Sequence, residues 1–240
     1  MDISKINENK QLALEYLGED KLLHIDMIEP IRRNTCDILY ADSEGVLIHE
    51  KNSDSYMLTT DSIDLAKKLT DTLPRKGLFV IHQKELFYLI KDKFDYKNHF
   101  ECRQAAYMSI NPPKLNKDIL IKLLKNKDKN IVRENYESMD EDFDYTSFLI
   151  DEKQMWGAFK DDDLMGFIGI HSEGSIGLLE VLPEYRNMGV AQALQNFLID
   201  YMLKKDWIPF GQVFLDNDKS LNLQKKLGLE VSEKSVFWFY

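Results

Sequence analysis

The chain has 240 residues, and its 41 acidic against 31 basic side chains give a formal net charge of −10. This excess argues against nucleic acid as a partner, because phosphate backbones are bound by basic surfaces. No apolar run reaches the length of a membrane span, and no apolar signal-peptide core is present, so we expect neither a membrane partner nor export. The two cysteines, Cys36 and Cys102, make neither a disulfide framework nor a zinc site, which favours the reducing cytoplasm.

The N-terminal half has the pattern of a mixed α/β domain. Two apolar runs on either side of residues 42–45 predict a β-hairpin. A helix is predicted over 61–72, a strand over 78–81, a helix over 84–91 and a further strand over 101–110.

Asn111-Pro112-Pro113 predicts a boundary, since consecutive prolines fit neither a helix nor a central strand. We therefore expect an N-terminal domain over 1–112 and a second domain over 113–240. The Lys-rich run over 114–129 alternates with Leu, Ile and Asn, and this pattern predicts the solvated face of a helix rather than a nucleic-acid-binding arm.

The C-terminal half begins with two predicted helices, over 128–136 and 145–154. A predicted hairpin of strands 155–160 and 164–171 follows, and then a strand over 176–182. The helix, strand, helix and strand predicted in the rest of the sequence complete the order strand, strand, strand, helix, strand, helix, strand. That order favours a mixed central sheet with helices on both faces.

A small-residue turn after the 176–182 strand predicts an anion site. It reads Val181-x-Pro183-x-x-Arg186-x-x-Gly189-x-Ala191 and leads into an amphipathic helix. Free backbone N–H groups at the positive end of that helix suit a diphosphate. The small residues Gly189 and Ala191 let a phosphate approach the backbone, and Arg186 adds a forked cationic donor.

Three further elements close the chain. Residues 211–215 predict a strand, and 220–227 predict a short helix preceded by the capping side chains of 216–218. Gly228 stands where a left-handed helix cap is expected, and 231–240 form a β-prone run.

These pieces together resemble the GNAT superfamily of CoA-dependent N-acyltransferases over about residues 128–240. The turn at 181–191 is similar to the acyl-CoA motif of that family, and Asn217-x-x-Ser220-x-x-Leu223-x-x-x-Leu227-Gly228-Leu229 is similar to its second motif. The segment 207–210 is more weakly similar to the glycine N-acyltransferase branch. The resemblance implies an α/β (α+β) fold with a splayed central sheet and flanking helices. The N-terminal half is then either a degenerate copy of that fold or a smaller α/β domain.

The resemblance also implies a set of cofactor-binding residues for acetyl-CoA or another acyl-CoA. The backbone near the end of the 176–182 strand would bind the pantetheine arm, the turn would bind the diphosphate, and two residues of the second motif would complete the site. In this chain the set is Leu179, Glu180, Val181, Arg186, Asn187, Met188, Gly189, Val190, Ala191, Asn217 and Ser220.

The catalytic base is left open by the sequence. An alkylammonium acceptor has a pKa of about 10.4, so a base must remove a proton before attack. The strand positions that commonly carry Glu or His in the family are Ser175 and Gly177 here. The remaining alternatives are His171, Glu173 and Glu180. The other histidines have no metal-like spacing, so no metal is expected.

The general acid departs from the family pattern. Many members carry Tyr directly after the position of Leu223, whereas this chain has Gln224, whose amide cannot protonate a thiolate. A thiol has a pKa of about 8.5, so the thiolate can leave unassisted; another tyrosine, such as Tyr185 or Tyr240, is the alternative.

Three hypotheses for function follow. The first is an N-acetyltransferase that acts on the primary amine of a small molecule or amino acid, as a monomer or homodimer. The second is a CoA-binding regulatory or interaction module with weakened catalysis, which Gln224 favours. The third is an unrelated nucleotide-phosphate binder that uses the same turn.

Overall fold

The computed structural model describes residues 3–74, 77–136 and 144–240. The elements in chain order are α1 (Ile3–Gly18), α2 (Ile25–Arg33), β1 (Cys36–Asp42), β2 (Gly45–Glu50), β3 (Ser55–Thr60), α3 (Ile63–Thr70), β4 (Leu78–Ile81), α4 (Phe87–Phe94), β5 (His99–Ala106), β6 (Leu120–Leu123), α5 (Lys129–Asn135), α6 (Tyr145–Asp151), β7 (Met155–Lys160), β8 (Asp163–Ile170), β9 (Ile176–Val181), α7 (Val190–Leu203), β10 (Phe210–Phe214), α8 (Asp218–Lys226) and β11 (Glu230–Phe239).

The chain forms two compact units, and both are discontinuous in sequence. The first comprises the chain up to Ala106 together with Gln212–Lys225 and Glu230–Tyr240. The second comprises Tyr107–Gly211 and Lys226–Leu229. This division differs from the expected one at residue 112, because β11 pairs with β4 and β5 of the N-terminal half.

The first unit contains most of a seven-stranded sheet with the order β1-β2-β3-β4-β11-β5-β10. The predicted hairpin is confirmed, with Ala41 paired to Val46 across β1 and β2. The helix α3 connects the parallel pair β3 and β4. Helices α1 and α2 and strand β3 were not predicted from the sequence. The strand predicted over 101–110 ends at Ala106.

Strand β11 contributes to two apolar cores through alternate side chains. Val236 and Trp238 belong to a cluster that includes residues of α1 and α2. Phe237 and Phe239 belong to a second cluster that includes residues of α3 and α4. All four side chains are buried, so this strand is a central structural element of the first unit.

The second unit contains the four-stranded antiparallel sheet β6-β7-β8-β9. Met155 of β7 packs in an apolar cluster with residues of α5 and α6. The adjacent Trp156 instead contacts the rings of Phe197 and Tyr201 on α7. Since neighbouring strand residues point to opposite faces, α5 and α6 cover one face of this sheet and α7 covers the other.

The expectation of a helix within the Lys-rich run 114–129 is wrong. Residues 120–123 form β6, which pairs with β7 at the sheet edge, and a short 3₁₀ helix follows at Asn126–Asp128. An edge strand exposes polar side chains readily, and the Nζ of Lys122 lies 4.1 Å from the ring centroid of Phe159. The alternation of Lys with apolar residues therefore reflects a half-exposed strand.

The two halves repeat one topology. In the N-terminal half, three antiparallel strands lead through α3, β4 and α4 to β5. In the C-terminal half, the last three strands of the antiparallel sheet, β7, β8 and β9, lead through α7, β10 and α8 to β11. The N-terminal half therefore has the element order expected of a degenerate copy, although no repeat is visible in its residues.

Buried polar groups connect α2 to the sheet of the first unit. His82 Nε2 lies 2.9 Å from Asp26 Oδ1, and both side chains are fully buried. His24 Nε2 lies 3.0 Å from Thr59 Oγ1, and its ring lies 5.1 Å from that of His82. Burial, with a smaller contribution from His82, lowers the pKa of His24 to about 4. Burial opposes protonation of His82, but the Asp26 carboxylate outweighs it and raises that pKa.

We predict that His24 makes the fold sensitive to acid. Its pKa is about 4 when folded and about 6.5 when unfolded, so the unfolded chain binds the extra proton between these values. Stability is therefore lost as the pH falls through that window, by about 3 kcal/mol from this group. The raised pKa of His82 has the opposite sign, since its contribution is present at low pH and is lost as the pH rises.

Urea unfolding of the wild type and of His24→Asn between pH 7 and pH 4 measures this effect. The variant should show a flatter dependence of unfolding free energy on pH, whatever its absolute stability. His99→Asn, at the exposed start of β5, serves as the control and should keep the wild-type slope. Parallel curves for wild type and His24→Asn would contradict the assignment.

Candidate functional site

Strand β9 carries a β-bulge in the second unit. Gly169 of β8 pairs with Gly177, and Phe167 pairs with Glu180, so three steps along β9 oppose two steps along β8. Leu178 has a φ of 56°, a left-handed conformation that is rare for a branched side chain. A bulge takes the extra residue out of the hydrogen-bond ladder and redirects its neighbours. The backbone at Leu178 and Leu179 is therefore the irregular part of this strand.

The turn after β9 ends in a helix start without a side-chain cap. Pro183–Tyr185 form a 3₁₀ turn, and Asn187 has a φ of 64°. Gly189 is the N-cap of α7 with a φ of 79° and makes no side-chain hydrogen bond to the helix. A Cβ built on Gly189 would meet no atom within 4 Å. The first backbone N–H groups of α7 therefore have no side-chain cap, and no neighbouring atom fills the space beside Gly189.

Arg186 is held beside this helix start by two contacts. Its Nε donates to the carbonyl oxygen of Val181 at 3.2 Å, and its Nη2 lies 3.2 Å from Glu180 Oε1. The side chain of Arg186 is 58% exposed and that of Glu180 is 35% exposed. An ion pair with this exposure is weak, so Arg186 can exchange the carboxylate for another anion. Glu180, an alternative for the base, is thus paired with Arg186, which the sequence predicts to bind an anion.

The turn between β8 and β9 contains the other two base candidates. The backbone N–H of His171 donates to Ser175 O at 2.8 Å, and that of Gly174 donates to His171 O at 2.8 Å. Glu173 is buried and accepts a hydrogen bond from the Ser175 hydroxyl. The ring of His171 is stacked on Tyr145 of α6, with Nδ1 at 3.2 Å from the tyrosine hydroxyl.

Gly177 makes room for the imidazole of His171. A Cβ at Gly177 would lie 2.2 Å from His171 Nε2, closer than any real contact allows. The ring therefore occupies the space that a side chain of β9 would otherwise fill. In the family that the sequence resembles, the position of Gly177 commonly carries Glu or His. Here the imidazole of His171, from the neighbouring turn, takes that place.

The hydroxyl of Tyr145 is the feature of this site that sequence reasoning missed. Burial, and then the negative charge of Glu173, raise the pKa of Tyr145 to about 12. Its oxygen accepts from the N–H of Ser172 at 3.1 Å and so connects α6 to the turn. Tyr145 lies 26 residues from His171 and matches no motif, so the one available signal was its place at a predicted helix start.

Asn217 and Ser220 belong to the first of the two units. Asn217 Oδ1 accepts from the N–H of Ser220 at 3.0 Å, so this amide caps α8 as the sequence predicted. Gln224, which replaces the common tyrosine, is buried. The remaining predicted residues, from His171 to Ala191, all belong to the second unit.

Across residues 3–74, 77–136 and 144–240, no cluster of three His, Cys, Asp or Glu side chains is placed to hold a metal ion. In the same part of the chain, no helix combines the length and hydropathy needed to cross a bilayer.

Residues 122–229 match the family described as acetyltransferase (GNAT) family. No curated protein is similar enough to this chain to count as a match. A solved protein from Drosophila melanogaster has a TM-score of 0.70 at 13% identity, covering 100% of this chain and 96% of that one. A GCN5-related N-acetyltransferase-like protein from Streptococcus suis has a TM-score of 0.54 at 16% identity, with 98% and 100% covered.

A tandem GNAT protein from the clavulanic acid biosynthesis pathway has a TM-score of 0.51 at 12% identity, with 100% of this chain and 95% of that chain covered. Identities this low show a shared fold alone. The likeness extends over both halves of the chain and accords with their repeated topology. Residues 122–229 therefore match the model of a GNAT-family acetyltransferase domain, and the whole chain shares its fold with solved GNAT proteins.

Proposed function

We propose that this protein is an N-acetyltransferase that moves an acetyl or other short acyl group from acyl-CoA to the primary amine of a small molecule or amino acid. The observation that carries the proposal is the helix start at Gly189, where uncapped N–H groups adjoin the exposed Arg186 directly after the bulged strand β9. We place the reaction in the cytoplasm, where free thiols such as Cys36 and Cys102 persist.

The residues of the turn fit a diphosphate. The open space at Gly189 admits phosphate oxygens, and the N–H groups of Val190 and Ala191 at the first turn of α7 can donate to them. Arg186 can turn from Glu180 to the diphosphate, where it makes charge-assisted hydrogen bonds. Asn187 and Met188, both exposed, lie between these groups.

Acyl-CoA supplies an activated thioester. The irregular backbone from Leu179 to Val181 would hydrogen-bond the pantetheine arm, as the family resemblance implies. An N–H group freed from the ladder by the bulge can donate to the carbonyl oxygen as negative charge develops there. Such a fixed donor is typically a large contribution to acyl-transfer catalysis.

His171 is the base that the geometry favours. Glu180 is paired with Arg186, and Glu173 is buried and hydrogen-bonded by Ser175. The imidazole of His171 lies beside β9 at Gly177, next to the bulge. It would take a proton from the acceptor ammonium. The amine nitrogen then bonds to the carbonyl carbon, the carbon–sulfur bond breaks, and the nitrogen loses its second proton to water as the amide forms.

The leaving sulfur needs no dedicated acid in this scheme. With a pKa of about 8.5, the thiol is a good enough leaving group to depart as thiolate and take its proton from water. With Gln224 in place of the common tyrosine, the enzyme would then lose only part of its rate. The same substitution favours the alternative function, a CoA-binding module with weakened catalysis, which predicts tight binding without turnover.

We predict that Arg186→Ala weakens acetyl-CoA binding about tenfold, because one charge-assisted phosphate contact is lost. Isothermal titration calorimetry measures the Kd. Lys160→Ala, which removes an exposed cation of the same unit at the end of β7, is the matched control and should bind normally. An unchanged Kd for Arg186→Ala would contradict the diphosphate assignment. Competition by ATP as strong as that by CoA would instead support a general nucleotide-phosphate binder.

We further predict that His171→Gln lowers kcat by roughly 10²–10⁴-fold, the usual contribution of a general base, with little change in acetyl-CoA affinity. Thiol release from acetyl-CoA with a panel of amines measures turnover. Glu173→Gln and Glu180→Gln are the comparison variants, and a larger loss in either would transfer the role to that carboxylate. Tight binding without thiol release for any amine would favour the regulatory module.

A further inference from the structure

Strand β6 leaves one edge of the sheet in the second unit open. It pairs with β7 on one side and is the last strand of the sheet on the other. Among the described residues, the backbone groups on its outer side make no hydrogen bond. Leu120 is 57% exposed and Leu123 is 38% exposed, and their spacing places them on opposite faces of the strand. An unpaired, apolar edge of this kind is a template for a further strand.

A groove of about 300 Å³ lies beside this edge, between β6 and α7. Asn196 Nδ2 of α7 donates to the carbonyl oxygen of Lys114 at 3.0 Å and so ties the segment before β6 to the helix. The apolar side chains that line the groove come from that segment, from β6 and from α7, and they are Leu115, Ile119, Ile121, Ala193 and Phe197. The groove is therefore built within one unit and can take an apolar side chain.

Basic side chains flank this apolar edge at both ends. The run 114–129 contains six lysines and two aspartates, in a chain with a net charge of −10. Lys117, which also lines the groove, precedes β6, and Lys125 follows it. The exposed lysines of the run that have no ion pair among the described residues are Lys114, Lys117, Lys125 and Lys127. An occupant that is apolar at its centre and acidic at its ends would complement this edge.

The charge of the edge also separates the kinds of occupant. Two β6 edges paired with each other would bring two lysine-rich runs together, and like charges across an interface are unfavourable. A lipid surface attracts basic and apolar side chains, but it makes no use of the free N–H and C=O groups of a strand edge. An extended acidic peptide uses the backbone edge, the groove and the lysines together.

We propose that β6 is a docking edge for an acidic peptide in the extended conformation. The peptide adds to the sheet as a further strand, and its backbone forms hydrogen bonds with the outer side of β6. An apolar side chain at its centre enters the groove beside Ile121 and Phe197, and carboxylates at its ends face the exposed lysines. The docking edge includes none of the residues 171–191, so the inference goes beyond the proposed function and does not rest on it.

The test uses the full chain and a fluorescein-labelled synthetic peptide, Asp-Glu-Val-Thr-Leu-Thr-Val-Glu-Asp. Fluorescence anisotropy should show saturable binding that weakens as salt is added, because salt screens the contacts with the lysines. The same peptide with N-methyl groups on its central amides should not bind, since it cannot donate hydrogen bonds to the strand edge. Equal binding of the two peptides, or binding of neither, would overturn the proposal.

Charge reversal beside β6 tests the role of the lysines. Lys117→Glu/Lys125→Glu should weaken binding of the acidic peptide by about tenfold or more, because attraction at both ends becomes repulsion. Lys225→Glu/Lys226→Glu, at the exposed end of α8, produces the same net charge and is the matched control. It should bind the peptide as the wild type does, and equal weakening by both pairs would overturn the location.

A second pair of variants tests the groove. Leu115→Gln should weaken peptide binding several-fold, because it replaces an apolar side chain of the lining with a polar one. Ile110→Gln makes a similar change at a side chain that is 88% exposed and lies outside the groove. It should leave the Kd of the peptide unchanged, and the same Kd for both variants would exclude the groove from the docking surface.

The other occupants of this edge have distinct outcomes. Binding of the wild type to vesicles that contain phosphatidylserine, without binding of the peptide, would overturn the proposal in favour of a lipid surface. A dimer in analytical ultracentrifugation that Leu115→Gln dissociates would overturn it in favour of a second copy of the chain. Peptide binding in a protein that acylates no amine would support the docking edge while overturning the proposed function.

Discussion

The uncapped start of α7 is the constraint on which the candidate site depends. Gly189 leaves the first N–H groups of the helix without a side-chain partner, and the chain reaches this point through the bulge at Leu178. Unsatisfied donors and a left-handed leucine both cost free energy in the absence of a ligand. Under the proposed function, a bound anion and a bound acyl group would supply the missing interactions in these adjacent segments of one unit.

In the N-terminal half, the equivalent helix start has a side-chain cap. The hydroxyl of Ser62 accepts the N–H of Leu65 at 3.2 Å and so caps α3, and Asp61 places a negative charge beside it. Strands β3 and β4 are also paired in parallel over Ser55–Leu58, which leaves no gap between them. A phosphate would have to displace a side chain and overcome a carboxylate there. The topology is thus shared by both halves, whereas the uncapped N–H donors that an anion needs are at the start of α7 in the C-terminal half.

The sequence predicted the parts of this molecule that depend on local chemistry. The turn from Pro183 to Ala191, the flanking strand and helix and the hairpin of β1 and β2 follow from periodicity, proline and glycine, which act over a few residues. The resemblance at the turn also agrees with the GNAT family model that residues 122–229 match. Strand β6 was misassigned because four residues at a sheet edge have too little pattern to oppose a Lys-rich context.

Other features depend on contacts that no local pattern encodes. Tyr145 lies far in sequence from His171, and the importance of Gly177 is visible only when the imidazole is seen above it. The division of the chain into units was equally hidden, because the pairing partner of β11 is a strand of the other half of the sequence. The three base candidates could be named from residue type, but their partners in the fold were needed to separate them.

The location of β11 has a consequence for biosynthesis. Trp238 pairs with Val80, so the sheet of the first unit cannot close until the whole second unit has left the ribosome. Until then the edges of β4 and β5 are exposed as unpaired templates, which is a liability for aggregation and makes folding slow by loop-closure entropy. We therefore expect the nascent chain to depend on chaperone protection more than a protein with two consecutive, independent domains.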